Sequence, residues 1–140
     1  MLRLSLTLAL GLRLLAAHAQ TSPPMTVPPT AISHLENLME ATKKAAAKSP
    51  GTKARHAETN PELNRYLVIA ADDFLRVTRE APSQEAYLAA IDKGLGRLAA
   101  LANTRPLRQQ VADYYLDLLE IVGLESSEGK LDAFVAQAGQ

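Results

Sequence analysis

Three carboxylates in the C-terminal third of the chain share a spacing that could serve binding chemistry. Asp113, Asp117 and Glu120 stand at positions i, i+4 and i+7, so a helix would place them on one face, away from its apolar stripe. A divalent cation or a basic partner protein would relieve their mutual repulsion. The structural alternative is a solvated face compensated by arginine or lysine from a neighbouring helix. Cation sites usually also draw ligands from a turn, so we predict no metal here.

Two serines follow this face. Ser126 and Ser127 come shortly after Gly123 and could form an anion site with the backbone N–H groups of a last helix. The structural alternative is one helix end followed by a helix start, where glycine and serine suit the backbone. We favour that alternative because Glu125 and Glu128 would repel an anion. Both serines nevertheless remain candidate binding residues.

No set of residues predicts catalysis. The neighbours Asp72 and Asp73 could act as acid and base, but surface pairing of Asp72 with Arg76 is the simpler account. His34 and His56 lack the histidine partner of a helical zinc motif, and no G-x-S-x-G motif is present. The chain has no cysteine, which excludes disulfides, thiolate metal sites and thiol nucleophiles. We therefore predict no catalytic residue, no metal and no cofactor.

Composition argues against nucleic acid as a partner. The chain has 15 basic and 15 acidic residues, 4% aromatic residues and no tryptophan. One basic run occurs, but no aromatic residue interleaves it, as a stacking surface for bases would require. Its members are Lys43, Lys44, Lys48, Lys53 and Arg55. A near-neutral domain also exerts little long-range attraction on phosphates.

The first 30 residues have the pattern of an export signal and a tether. Arg3, the apolar residues 4–12 and the small-x-small sequence Ala17-His18-Ala19 predict a signal peptide over 1–19. Its apolar run is shorter than the roughly 20 residues that span a bilayer, so we expect a periplasmic or secreted protein without a transmembrane segment. Four prolines within 20–30 predict a flexible leader. An amphipathic helix of a cytosolic protein is the alternative.

Residues 31–136 have the periodicity of an all-α domain, a compact bundle of four amphipathic helices plus a short C-terminal helix. Helices are predicted over about 31–48, 61–80, 83–103 and 104–123, with a fifth capped by Ser126 or Ser127. Ser33 with Glu36 fits a capping box. Gly94 and Gly96 inside the third helix call for close backbone packing or a kink.

The C-terminal third also carries a family resemblance. The segments concerned are Asp92-Lys93-Gly94-Leu95, Thr104 and the run from Tyr114 to Gly129, with Ile121-Val122-Gly123-Leu124-Glu125-Ser126-Ser127 at its centre. These residues resemble a bacterial family of small proteins known as domain of unknown function 4844, over about 32–134. Beyond Gly129 the chain departs from the aromatic, glycine-containing ending expected of the family. The resemblance implies a compact helical fold and no assigned activity.

Three hypotheses for function remain open. The first is a non-catalytic helical domain, exported, that binds a protein or a cell-envelope component. The second is a small periplasmic hydrolase, which would need a pocket that gathers a histidine with carboxylates. The third is an inhibitor or immunity-type protein that presents the acidic face of the fourth helix to a basic cleft.

Overall fold

The computed structural model describes residues 23–47 and 60–139. Within these two ranges the chain forms five helices and no strand, so the predicted all-α class is confirmed. The helices are α1 Ala31–Ala47, α2 Pro61–Glu80, α3 Gln84–Leu98, α4 Arg105–Val122 and α5 Lys130–Ala136. The predicted signal peptide, His56 and the end of the basic run lie outside the described residues. No helix in the described part of the chain is long and apolar enough to cross a membrane.

Side-chain caps set most of the helix starts, as the sequence predicts. The Asn60 carboxamide oxygen accepts from the amides of Glu62 and Leu63 at 3.1 and 3.2 Å, and Pro61 opens the first turn. Ser83 and Thr104 cap α3 and α4 in the same way. Gly123 ends α4 in the left-handed conformation, with φ 74°, where a residue without Cβ is least strained.

Three local predictions differ from the structure. Helix α3 ends at Leu98 and continues as a turn, and the carbonyls of Ala99 and Ala102 beyond it accept from Arg108. Helix α5 begins only at Lys130 with Gly129 at its N-cap, although the Ser127 hydroxyl still accepts from the Leu131 amide of its first turn. The Ser33 hydroxyl donates to the Thr30 carbonyl at 2.9 Å, so no capping box forms with Glu36, whose carboxylate pairs with Arg79 of α2 instead.

The core lies where α1, α3 and α4 surround α2, with α5 closing one side against α4. Phe74 of α2 stands at its centre, with ring centroids 5.1 Å from Tyr87 of α3 and 6.2 Å from Tyr115 of α4. All three side chains are fully buried. Edge-on and tilted ring pairs of this kind add to the free energy gained by burying apolar surface, so the centre of the bundle is rigidly specified.

The described part of the proline-rich segment, residues 23–30, lies against the bundle. The Met25 amide donates to the Pro82 carbonyl at 2.9 Å, and the Met25 and Val27 side chains pack on the core. Pro28 sits beside Gly123 at the end of α4. Proline content alone predicts a flexible leader, but it carries no information about the apolar side chains between the prolines. Those side chains are the ones that dock.

Candidate functional site

An open groove of about 480 Å³ runs between α4 and α5, and we call it the α4–α5 groove. One wall is a stripe of α4 formed by Arg105, Gln109, Ala112 and Leu116; the other is a face of α5 formed by Leu131, Asp132, Val135 and Ala136. The loop of Glu125, Ser126, Ser127 and Gly129 closes one end. The apolar floor and charged rim are what a binding site for a partner surface requires.

Leu116 is the most conspicuous residue of this groove. Its side chain is 53% exposed, and Ile32 at 38% is the other large hydrophobic residue recorded as exposed in the described part of the chain. A single exposed leucine is ordinary on a protein surface. Here it lies in a concavity opposite the partly exposed Val135 and the exposed Ala136 of α5, so a ligand that covered it would bury apolar surface of both helices.

The predicted acidic face borders the groove. Asp113 lies one helical turn after the groove residue Gln109, and Glu120 lies one turn after Leu116. The side-chain amide of Gln109 donates to the Asp113 carboxylate at 2.9 Å. Asp117 is exposed and raises the pKa of Tyr114, although burial of that phenol is the larger cause. No lysine or arginine among residues 23–47 and 60–139 pairs with these three carboxylates. The arginine or lysine side chain that would neutralise a purely solvated acidic face is therefore absent from these residues.

Ser126 and Ser127 line the groove, but their hydroxyls serve the loop. The Ser126 hydroxyl accepts from the Glu128 amide at 2.9 Å, and the Ser127 hydroxyl accepts from the Leu131 amide at 3.5 Å. These bonds stabilise the unusual backbone of Glu128 and Gly129, whose φ angles are 54° and 79°. The serines thus shape the end of the groove, and the structural alternative to an anion site accounts for both hydrogen bonds.

The acidic residues of the groove rim also have no salt-bridge partner in the part of the chain that the structure describes. No hydrogen bond or salt bridge within the described ranges engages the carboxylates of Glu125 and Asp132. Arg105, at the start of α4, supplies the one basic side chain of the lining. The site therefore combines an exposed apolar strip with uncompensated negative charge at its edge.

A second groove, of about 690 Å³, lies between residues 23–25, α3 and the start of α5. Its floor contains Met25 and Leu88. Its polar side chains bond across the gap to each other. Lys130 pairs with Asp92 at 2.8 Å, and the Gln84 amide donates to Glu128 at 3.0 Å. We call this the leader groove. Because its polar side chains already hydrogen-bond to each other, they leave fewer groups for a ligand to bind than those of the α4–α5 groove.

Sequence reasoning missed a buried charge cluster between α2 and α3. The side chain of Asp73 is only 8% exposed, and its two carboxylate oxygens pair with Arg76 at 3.0 Å and with Arg97 of α3. Its neighbour Asp72 is on the surface, 3.6 Å from Arg76, as predicted. One signal for this cluster is present in the sequence. Asp73 comes one residue before Phe74 in α2, and this helical position turns its side chain toward α3.

Tyr115 points its hydroxyl toward this cluster without a hydrogen-bond partner. The oxygen is fully buried, and burial raises the pKa of the phenol well above its ordinary value. A Cβ built on Gly94 would overlap that oxygen. Close backbone packing, one of the two reasons the sequence offered for the helix glycines, is therefore confirmed at Gly94. At Gly96 a Cβ would meet nothing within 4 Å.

Arg108 is a second buried charge that the sequence did not identify. Its guanidinium donates to the carbonyls of Ala102 at 2.9 Å and Phe134 at 2.7 Å, and lies 4.3 Å above the Phe134 ring. The carbonyl oxygens at the C-terminal ends of α3 and α5 carry partial negative charge, so they replace a carboxylate. Arg108 thereby joins three helices and supports the groove wall from behind.

Two tyrosine–threonine pairs complete the buried polar groups. Thr42 of α1 donates to the Leu38 carbonyl at 2.7 Å and lies 3.0 Å from the Tyr114 hydroxyl. In the same way, the Thr78 hydroxyl donates to the Phe74 carbonyl and lies 2.7 Å from the Tyr87 hydroxyl. Since each threonine proton is used on a carbonyl, each phenol is the donor to its threonine. Burial raises the pKa of both phenols, which keeps them protonated for this role.

No group of three or more histidine, cysteine, aspartate or glutamate side chains within the described residues could hold a metal ion. His34 is exposed on α1 and lines neither groove. The structure thus brings together Leu116, the two serines and the carboxylates beside them at one open groove.

Comparison with known proteins gives a family match and no characterised relative. No curated protein and no solved structure matches the chain. A family model, described as a domain of unknown function (DUF4844), matches residues 26–138. The match includes the docked segment from Thr26 onward and all five helices, and it extends beyond the region 32–134 that carries the resemblance in the sequence. The chain belongs to the DUF4844 family.

Proposed function

We propose that the protein is an exported, non-catalytic helical domain that binds a protein or a cell-envelope component through the α4–α5 groove. The observation that carries this proposal is the exposed Leu116 in a concave, apolar strip edged by carboxylates that lack a counter-charge within the described residues. Exposed apolar surface and unpaired charge both cost less free energy when a complementary partner covers them.

The arrangement of buried polar groups supports binding over catalysis. Asp73, Arg108 and the two tyrosine–threonine pairs bond mainly to each other or to backbone carbonyls. None of these groups lines the α4–α5 groove or the leader groove. A hydrolase would need such groups to converge on a substrate cavity, so they serve instead to hold the helices together.

Export is supported by the sequence pattern of residues 1–19 alone. We propose a periplasmic or secreted location on that basis. Cell fractionation with N-terminal sequencing of the mature chain tests it. We expect a mature protein that begins at Gln20 outside the cytoplasm. A chain that keeps Met1 and stays in the cytoplasm would contradict export while leaving the binding proposal intact.

Site-specific photocrosslinking in living cells tests the binding function. A photoreactive phenylalanine analogue replaces Leu116 in one variant and the exposed Asn37 of α1 in a control variant. We expect a discrete crosslinked product from position 116 and none from position 37. Equal labelling at both positions, or none at either, would contradict a binding role for the groove.

A further inference from the structure

We propose that the α4–α5 groove receives an amphipathic helix with a basic flank, supplied by a partner protein. This inference rests on the proposed binding function and specifies the partner's chemistry. The groove is bounded by two helices that lie side by side, so its long axis follows theirs. A third helix laid along that axis would complete a three-helix seam, which is how apolar helix faces are usually buried.

The spacing of the groove residues favours a helical partner. Arg105, Gln109, Ala112 and Leu116 are separated by four, three and four residues, the repeat by which one helix contacts another along its length. Ala112, at 4% exposure, supplies a small side chain in the middle of this wall. Because Ala112 is already packed in the core, it forms the floor of this wall, and the exposed Leu116 beside it is the apolar anchor available to a partner.

Charge complementarity selects a basic partner. Residues 105–139 contain six carboxylates and three basic side chains: Asp113, Asp117, Glu120, Glu125, Glu128 and Asp132, against Arg105, Arg108 and Lys130. Lys130 is already paired with Asp92 of α3. Among the described residues, negative charge therefore exceeds positive charge on this side of the molecule, which raises the association rate of a basic segment and disfavours an acidic one.

The two ends of the groove also carry side chains of opposite charge. Arg108 of α4 donates to the Phe134 carbonyl, so the end of α5 lies beside the start of α4 and the two helices run in opposite directions. Arg105 accordingly marks one end of the groove, while Glu125 and the loop serines mark the other. A bound helix would place its lysine or arginine residues toward the loop end and would leave the Arg105 end free of them.

A synthetic peptide probe tests this partner class. The probe is a helical peptide of leucine and lysine, about 14 residues long because shorter isolated helices are marginal in water. Its controls are the same peptide with glutamate in place of lysine, and a leucine–lysine peptide of identical composition without helical periodicity. We expect the amphipathic basic peptide to bind about tenfold more tightly than either control at 0.15 M ionic strength.

Protein variants locate the interaction. The double change Glu125→Lys with Asp132→Lys, and separately Leu116→Lys, should each weaken binding of the basic peptide about tenfold. Glu80→Lys, at an exposed position of α2 outside the groove, is the control and should leave affinity nearly unchanged. Thermal unfolding of each variant confirms that the domain still folds.

The outcomes separate this inference from the proposed function. Equal affinity for basic and acidic peptides, or equal weakening by the groove and control variants, overturns the basic helical partner. If crosslinking at position 116 still occurs in that case, the groove binds a partner of different chemistry. If neither crosslinking nor peptide binding occurs, both proposals fail.

Discussion

Asp73 and Asp132 are both carboxylates on helices of the same small domain, but their surroundings are opposite. Asp73 is buried and pairs with two arginines, Arg76 of α2 and Arg97 of α3. Asp132 lines an open groove, and no basic side chain in the described ranges pairs with it. Where the protein places charge inside, it supplies a partner. At the α4–α5 groove, no described residue pairs with the carboxylates of Glu125 and Asp132, and the Leu116 side chain is exposed.

This difference indicates which polar residues of a small helical domain stabilise the fold and which are available for binding. A buried charge must be compensated because the cost of removing it from water is large. An exposed charge need not be compensated, and its lack of a partner has little effect on folding. The interior cluster should therefore respond to substitution through the free energy of unfolding, and the groove should respond through affinity.

The largest effect is expected from Arg108→Met. The change removes donors to the Ala102 and Phe134 carbonyls and leaves those oxygens buried without partners, so unfolding should become easier by about 3 kcal/mol. Arg105→Met, three residues earlier on the exposed surface, should change stability by less than about 0.5 kcal/mol. Urea unfolding monitored by circular dichroism measures both. Similar losses in the two variants would break the distinction between interior and groove.

Asp73→Asn compared with Asp132→Asn tests the two carboxylates directly. The first change weakens charge-assisted hydrogen bonds to Arg76 and Arg97, and we expect a loss of about 2 kcal/mol, since both arginines remain partly exposed. The second change should alter the free energy of unfolding by less than about 0.5 kcal/mol. A large loss from Asp132→Asn would mean that the groove carboxylate has a structural role.

The two glycines of α3 provide a matched pair. Gly94→Ala would force Tyr115 to move, which should cost about 1–3 kcal/mol. Gly96→Ala meets open space in a helix and should stabilise the domain by up to about 1 kcal/mol. Adding Tyr115→Phe to Gly94→Ala removes the overlapping oxygen and should recover part of the loss. No recovery in thermal unfolding experiments would indicate that the Tyr115 hydroxyl is not the obstacle.

The smallest effect at neutral pH belongs to Tyr115→Phe alone, because the buried hydroxyl has no partner to lose. Alkaline pH should reveal it. Burial raises the pKa of Tyr115 above its ordinary value of 10.0, so above that pH the unfolded chain releases a proton that the folded chain retains. Stability should then fall as pH rises, and less steeply in the phenylalanine variant. Identical slopes from pH 9 to 11 would contradict this account.

The helices could be predicted from the sequence because their signals are local. Asn60-Pro61, Ser83, Thr104 and Gly123 each act through hydrogen bonds or backbone angles within one turn. The same local reasoning identified the acidic face and the two serines that border or line the groove. Family membership and the all-α class can be predicted from the sequence for the same reason.

The remaining features depend on contacts between distant parts of the chain. The pairing of Asp73 with Arg97, the carbonyls that surround Arg108 and the docking of Met25 on Pro82 join residues from different elements. Leu116 looks like an ordinary member of a leucine-rich helix, and only the position of α5 leaves it exposed in a groove. Periodicity identifies which residues can face inward, but it does not tell which neighbour they meet.

Chemical-shift mapping offers the most direct test of the central claim that the α4–α5 groove is the binding surface. The ¹⁵N-labelled domain is titrated with the amphipathic leucine–lysine peptide, and amide shifts are followed residue by residue. We predict that the largest changes fall within residues 105–116 and 125–136. Changes concentrated on residues 23–25 and 84–92 would instead assign binding to the leader groove and contradict the account.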